Sequence, residues 1–432
     1  MNEIEIFGHE LVDFIYDTDL KIIPEYYYDA FLNYLGVTYL GSTQPAVSIC
    51  LKALSDDIGK YYPFNRTETV SLSDVALIDC FSSSLLAYDD IHFETTIHPC
   101  GPIMSAIFAL SRKQKISLHE ALNALCIGME VECRLAIAIF SNETQNQSGW
   151  YTTGIVGAIG VASALSHLFK FTKEDIRNAL ALAANYASGL RGSHGSMAGS
   201  FIPAIASKNG FMSVMFVEKG MTCSFASLVG KNGLIQQMTS NPNIKKARDG
   251  IGKIYFSMDS SCKPYPFGFI SFSAIALLEQ VNIDDRNIDE IIVEVSSRVK
   301  MLGSNHDPKT MYDGFVSLPY IIAILLINHE NAYLPLEDFH ITPEIKSIMK
   351  KIMIKENKDL SDEEIYMTIN QEKYYFKNAP GSIHNPMKHE DIIEKFKRIT
   401  KINHQEQLIE NIYHQDIQDI YQFIINTFQN NE

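Results

Sequence analysis

Three things are scarce in this chain of 432 residues, and each scarcity excludes something. Basic residues are the first: 36 Lys and Arg stand against 51 Asp and Glu, a formal net charge of −15. Nucleic acid and anionic membrane surfaces select for clustered cations, so neither is expected as a partner. Paired cysteine is the second. The seven cysteines are odd in number, none falls in a C-x-x-C pair, and most sit in apolar stretches, where a thiol behaves as a small hydrophobe. That pattern fits a reducing compartment, the cytoplasm, and no bound zinc. Long apolar runs are the third. The longest, residues 154–168, is short of a membrane span and carries Ser163, Ser166 and His167. The first residues are acidic and lack both the basic start and the apolar core of a signal peptide. A phosphate loop is missing too, because Gly154, Gly157 and Gly160 recur every third residue rather than as G-x-G-x-x-G. Such spacing instead lets another helix approach closely.

What is present is an ordinary globular composition, 46% hydrophobic and 20% charged, on a chain too long for one core. Helical patterns fill the first 262 residues or so. Residues 36–45 read as a loop ending at Pro45. Ser117 and Glu120 form a capping box that opens a helix to about residue 140, with Glu130 and Arg134 spaced as a structural ion pair. Residues 189–200 are rich in Gly and Ser, with Arg191 and His194 as their ionisable groups, and read as a loop on a cavity. Beyond residue 257 strand-like runs appear at 288–297 and 363–369. Between them lie a helix at 316–326 and an Ile- and Lys-rich stretch at 338–357. A loop at 379–387 precedes a charged helix at 390–399, and the chain ends in helix. The expected fold is mainly α: a large all-helical domain (1–262), an inserted smaller α/β lid domain (263–402), and a C-terminal helical return (403–432).

Residues 86–102 hold the densest polar chemistry. Asp89, Asp90, His92, Glu94, Thr95, Thr96 and His98 fall between apolar helical runs at 75–87 and 103–110, the second begun by Pro102 in its first turn. A polar loop on a rigid scaffold suits catalysis. It also suits a plain capped helix junction, and spacing alone leaves both readings open.

Six stretches in register carry a family resemblance. They are Leu86 to Asp90 with His98-Pro99, Gly128-Met-Glu-Val-Glu-Cys-Arg134, Gly149-Trp-Tyr-Thr-Thr-Gly154, Cys262-Lys-Pro-Tyr-Pro266, Ser317-Leu-Pro-Tyr320, and Pro380-Gly-Ser-Ile-His-Asn-Pro386 before a Lys-Phe helix. Together they resemble the MmgE/PrpD family, which contains 2-methylcitrate dehydratases, cis-aconitate decarboxylase and iminodisuccinate epimerase. The resemblance implies a helical domain with an α/β lid, a homodimer, and no metal, iron–sulfur cluster or organic cofactor.

The resemblance also assigns roles, each with a plainer alternative. His98 is implied as general acid/base, since imidazole titrates near working pH, or else as a group that fixes its loop. Lys263 would anchor a carboxylate or polarise a carbonyl, or else lie on the surface. Tyr151 would donate a proton or hydrogen bond, although neutral phenol is a poor base, or else pack beside Trp150. Tyr320 would donate a hydrogen bond, or simply pack. Asp89 and Asp90 match the family's Asp-Asp pair and would hold the loop. His194 would fill the space of an absent Lys, or be a plain loop residue.

Five polar positions of the family pattern are replaced: by Ala87 (for Asp), Ile91 (Thr), Tyr151 (His), Gly199 (Lys) and Gly268 (His). Loss of a cation and of polar wall groups implies a substrate larger, less anionic and more apolar than a tricarboxylate. Substrate contacts are expected from Asp89, Asp90, Ile91, Arg191, His194, Gly199 and Gly268. The expected function is a cofactor-independent lyase or isomerase moving a proton alpha to a carbonyl or carboxylate, in a specialised biosynthetic step. Its alternative is a non-catalytic relative that binds a ligand or stabilises a partner enzyme. Retention of His98, Lys263 and Tyr320 favours catalysis.

Overall fold

Apolar periodicity and capping chemistry account for most of the helices in the computed structural model, which describes residues 1–54, 59–141, 149–281, 288–328 and 339–429. The helical unit is built from α1 (Glu3–Asp17), α2 (Glu25–Ser42), α3 (Pro45–Ala53), α4 (Leu72–Ser84), α5 (Cys100–Ser111), α6 (Leu118–Phe140), α7 (Thr152–Leu168), α8 (Lys173–Ala184) and α9 (Met197–Glu218), with shorter helices after it. Starts follow local chemistry. Ser117 and Glu120 make the reciprocal capping box of α6, and Ser71 and Thr172 cap α4 and α8. Helix α7 is apolar on nearly every face, so it lies in the middle, packed between α6 and α9. Its glycines do what their spacing predicts: Gly160 lies against the Glu132 side chain and the Gly128 carbonyl of α6.

Residues 36–45 depart from the expected loop. Helix α2 continues through them to Ser42, because Gly36 and Gly41 serve close packing rather than a turn. Gly36 faces Phe396 and Ile399, and Gly41 faces the Ser82 carbonyl of α4. The expected loop at 189–200 is also cut short, since α9 starts at Met197 and runs on through an internal Pro203.

Between α4 and α5 the chain forms a short strand, β1 (Asp90–His92), which pairs antiparallel with β2 (Ser260–Cys262). Neither strand is legible locally, being three residues long. The lid follows with α10 (Phe272–Gln280), β3 (Ile291–Val295), α11 (Leu318–Asn328), β4 (Ile352–Glu356), β5 (Glu364–Ile369) and β6 (Glu372–Lys377). Its sheet has the order β4-β3-β5-β6, with β3 parallel to β4 and the other pairs antiparallel. Burial alternates along β3 and β5, so one face packs into a second core, with Val293 and Met367 fully buried. The expected strands at 288–297 and 363–369 are there. The Ile- and Lys-rich stretch, whose residue 338 lies outside the described residues, resolves into a short helix, Pro343–Met349, followed by β4.

Three helices close the chain: α12 (His389–Thr400), α13 (Gln405–His414) and α14 (Ile420–Gln429). Helix α12 falls within the residues assigned to the lid by sequence, yet it packs on α2. Ile392 and Phe396 belong to the helical core together with Ile402. The return to that core therefore begins at His389, ahead of residue 403. Phe396 is about 1% exposed, and its truncation to Ala should cost about 3–5 kcal/mol. Among the described residues no helix is long and apolar enough to cross a membrane.

Candidate active site

The β1–β2 pairing creates the central constellation. Its register sets Asp90 opposite Cys262, and one step further the Lys263 N–H donates to the Asp89 carbonyl at 2.9 Å. The two side chains then meet, with Lys263 Nζ 2.6 Å from Asp89 Oδ1. Asp89 Oδ2 lies 3.3 Å from His98 Nδ1. All three groups are largely buried. Burial works to raise the Asp89 pKa, but His98 beside it and the Lys263 ammonium, which also donates to it, overcome that and hold the carboxylate below its usual range.

The loop that carries His98 is tightly shaped. Ala87, between the end of α4 and β1, has φ 50° and Thr96 closes the turn after β1 at φ 55°, each a left-handed conformation costing about 1–2 kcal/mol. The His98 N–H donates to Thr153 Oγ1 at 3.0 Å, and the Thr152 hydroxyl donates to the Thr96 carbonyl, which pins the loop to the start of α7. His98 Nδ1 lies 2.6 Å from the Asp90 carbonyl. A carbonyl only accepts, so Nδ1 carries the proton and Nε2 keeps its lone pair. Burial lowers the His98 pKa, with Asp89 opposing and Lys263 adding to the effect. The neutral imidazole is therefore the resting form at neutral pH.

These groups open onto a cavity of about 350 Å³ between the helical unit and the lid, within the size range of small-molecule sites. Asp89, Ile91, His98, Tyr151, Arg191, His194, Gly199, Lys263 and Gly268 all line it. Tyr151 stands at the N-terminus of α7, its ring edge-on to His194 at 5.2 Å and 6.5 Å from that of His98. Burial raises the Tyr151 pKa, so it is a neutral donor rather than a base. Burial pushes His194 down to about 4, with Arg191 adding to the shift. Arg191 Nη2 reaches Thr96 Oγ1 at 3.4 Å.

Two expected site residues sit elsewhere. Tyr320 is fully buried in the lid, its ring against Phe339 and Gly314, and does not line the cavity. A tyrosine on a helix as apolar as α11 packs inward, and Tyr312, one short helix upstream, lines the cavity instead. Asp90 lies behind the wall, accepting from the Cys100 N–H at the start of α5 at 3.0 Å. Burial and the neighbouring Asp89 push its pKa up to about 7. That bond ties the loop to α5, the place expected of a group that holds the loop.

Sequence reasoning missed Lys395. This α12 side chain is about 1% exposed and reaches Asn33 Oδ1, the Tyr88 carbonyl and the Lys263 carbonyl at 2.6, 2.7 and 2.8 Å. Its ammonium also lies 3.9 Å from the centre of the Tyr88 ring. Burial pushes its pKa down to about 7. Three acceptors nonetheless call for the three N–H donors of the charged form. Lys395 thus braces the backbone on both sides of the Asp89–Lys263 pair. Its only sequence signal was its place in the Lys-Phe helix.

Of the described residues, one group of ligating side chains is close enough to share an ion, Glu25, Asp29 and His389. None of these lines the cavity, and Asp29 already accepts from His389 and Tyr413.

Two findings decide the ancestry. Residues 9–247 match the MmgE/PrpD N-terminal domain and residues 265–419 the MmgE/PrpD C-terminal domain. The chain belongs to the MmgE/PrpD family. Among its relatives, a cis-aconitate decarboxylase of Aspergillus terreus is 20% identical over 349 residues, covering 72% of this chain and 71% of that protein. The cis-aconitate decarboxylase of Homo sapiens is 28% identical over 168 residues, or 36% of this chain and 34% of its own. All five positions at which this MmgE/PrpD chain departs from the family pattern, Ala87, Ile91, Tyr151, Gly199 and Gly268, line the cavity. The departures are gathered where a substrate would sit.

Proposed function

We propose that this chain is a lyase or isomerase that abstracts a proton from a carbon alpha to a carbonyl or carboxylate. The carrying observation is the tautomer of His98. With Nδ1 bound to the Asp90 carbonyl at 2.6 Å, its Nε2 is the lone-pair nitrogen of a side chain that lines the cavity. Asp89 and Lys263 flank it: the carboxylate stabilises the imidazolium that forms, and the ammonium stabilises the enolate that proton loss creates. Elimination of a leaving group beta to the carbonyl, or reprotonation, would complete a turnover from that intermediate; in a decarboxylation the enolate would instead form as carbon dioxide leaves, and His98 would deliver the proton. Relatives that are cis-aconitate decarboxylases by name support a lyase-type reaction in general.

The wall supports a substrate larger and less anionic than a tricarboxylate. Gly199 and Gly268 put no polar side chain on the wall, a Cβ at either meeting a neighbouring atom at 3.1 Å, and Ala87 and Ile91 present hydrocarbon. A test is proton NMR in deuterated buffer with a panel of mono- and dicarboxylates, amides and keto acids. Loss of an alpha-proton signal, or new vinylic peaks, with the native protein and not with His98→Ala is the expected result. Equal exchange by both proteins would remove His98 from the chemistry.

A further inference from the structure

Many of the polar groups on the cavity wall are already engaged. Both of its cations have partners: Lys263 meets Asp89 at 2.6 Å, and Arg191 reaches the Thr96 hydroxyl. The hydroxyls of Thr96, Thr152 and Ser196 donate to the carbonyls of Thr95, Thr96 and Ser193. Two phenols stand apart from these. Tyr151 and Tyr312 both line the cavity, and among the described residues neither hydroxyl has a hydrogen-bond partner, nor is either oxygen closed off from solvent. A phenol that has lost much of its water ordinarily finds an acceptor. Burial raises the pKa of both, so each keeps its proton to donate.

The two come from different units of the fold and meet at one turn. Tyr151, just ahead of α7, packs edge-on against His194. Tyr312 lies in the short helix Met311–Gly314 of the lid, which the Thr310 hydroxyl fastens to the Gly195 carbonyl at 2.7 Å, with Asp313 against Gly195 itself. The phenols thus flank residues 194–195, and the His98 ring lies 6.5 Å from that of Tyr151.

We propose that the substrate is a neutral carbonyl compound, a ketone, ester or amide, whose oxygen accepts hydrogen bonds from Tyr151 and Tyr312 while His98 takes the alpha proton. The assignment rests on the reading of this cavity as the site of proton abstraction. The C–H bond breaks, its proton goes to Nε2 of His98, and its electron pair moves onto the carbonyl oxygen, where the two O–H donors meet the growing charge. A carboxylate in that place would be charged before it lost a proton, and its enolate would carry two charges against neutral donors.

The probes are cyclohexanone, labelled with carbon-13 at its carbonyl, and cyclohexanecarboxylate, each with the full chain in deuterated buffer. Infrared spectroscopy should show the bound carbonyl stretch of cyclohexanone moved to lower frequency, and proton NMR should show its alpha protons exchanging above the buffer rate. Cyclohexanecarboxylate should not exchange. Tyr151→Phe and Tyr312→Phe should each reduce the frequency shift and slow exchange about a hundredfold or more. Thermal unfolding of both should be unaltered, since neither hydroxyl bonds another part of the protein. His98→Ala should abolish exchange and keep the shift. An unshifted carbonyl, a shift that either Phe variant leaves unchanged, or exchange of cyclohexanecarboxylate overturns the proposal. The two readings fail separately. A shift that both Phe variants reduce, without exchange by the native protein, sustains the phenol assignment and defeats the proton-transfer chemistry. Exchange of the carboxylate that is lost in His98→Ala defeats the assignment and leaves the chemistry in place.

Discussion

Two buried ionic clusters in this molecule use similar residues to opposite ends. On α6, Arg134 Nε donates to Glu130 at 2.7 Å, and its other nitrogens donate to the carbonyls of Ala247, Asp249 and Ile254. Glu130 in turn accepts from the N–H groups of Phe256 and Ser257 and from the Ser257 hydroxyl. That network closes on itself, and neither Glu130 nor Arg134 lines the cavity described above. The Asp89–Lys263–His98 cluster is buried less completely, leaves one imidazole nitrogen over and faces a cavity. A closed network fastens the chain between α6 and residues 247–257. An open one keeps a group for a substrate.

The comparison can be broken from either side, beginning with the largest effect. Replacing His98 by Ala should lower deuterium exchange of a turned-over substrate by about a hundredfold to ten-thousandfold, with little change in unfolding temperature. Arg134→Met should do the reverse: a loss of about 3–5 kcal/mol in urea denaturation, because Glu130 is left buried and unpaired. Any activity remaining in the folded fraction should be unaltered per molecule.

Glu132 sharpens the contrast, since it belongs to neither network. Both its carboxylate oxygens are buried without a hydrogen-bond partner, and burial, with Asp90 adding to it, holds its pKa well above the ordinary 4.5. The folded chain therefore keeps a proton that the unfolded chain releases, and stability drains away as pH rises above the unfolded value. Glu132→Met should raise stability at neutral pH by about 1–3 kcal/mol and flatten that decline. Urea denaturation at acid and neutral pH measures both.

Smallest are the shifts within the open cluster. Lys263 lowers the His98 pKa and Asp89 raises it. Lys263→Met should move the acid limb of the pH–rate profile to higher pH, and Asp89→Asn should move it lower. Movement of both limbs in one direction would contradict the arrangement.

How much of this was legible before the structure follows from where the information resides. The capping box at Ser117, the i, i+4 pair of Glu130 and Arg134, and the glycine spacing of α7 are local patterns, and each appears in the fold as read. The apparent loop at 36–45 misled because its glycines answer to helices from distant parts of the chain, α4 and α12. Within the site, His98, Lys263 and the five replaced positions were found through motif order, which carries tertiary information that spacing lacks. Tyr320 was not, because a tyrosine on an apolar helix reads the same whether it faces a core or a cavity. Lys395 was hidden for a related reason: its partners at Asn33, Tyr88 and Lys263 converge only when α12 folds back onto α2.

The claim at the centre of this account is that His98 rests as the neutral Nδ1-protonated tautomer, its Nε2 open to the cavity. Nitrogen–proton correlation NMR of the protein labelled at its histidine rings, with His98→Gln to assign the signals, reads this directly. The account predicts a proton on Nδ1 and a bare Nε2 at neutral pH. A proton on Nε2, or a ring protonated on both nitrogens there, would contradict it.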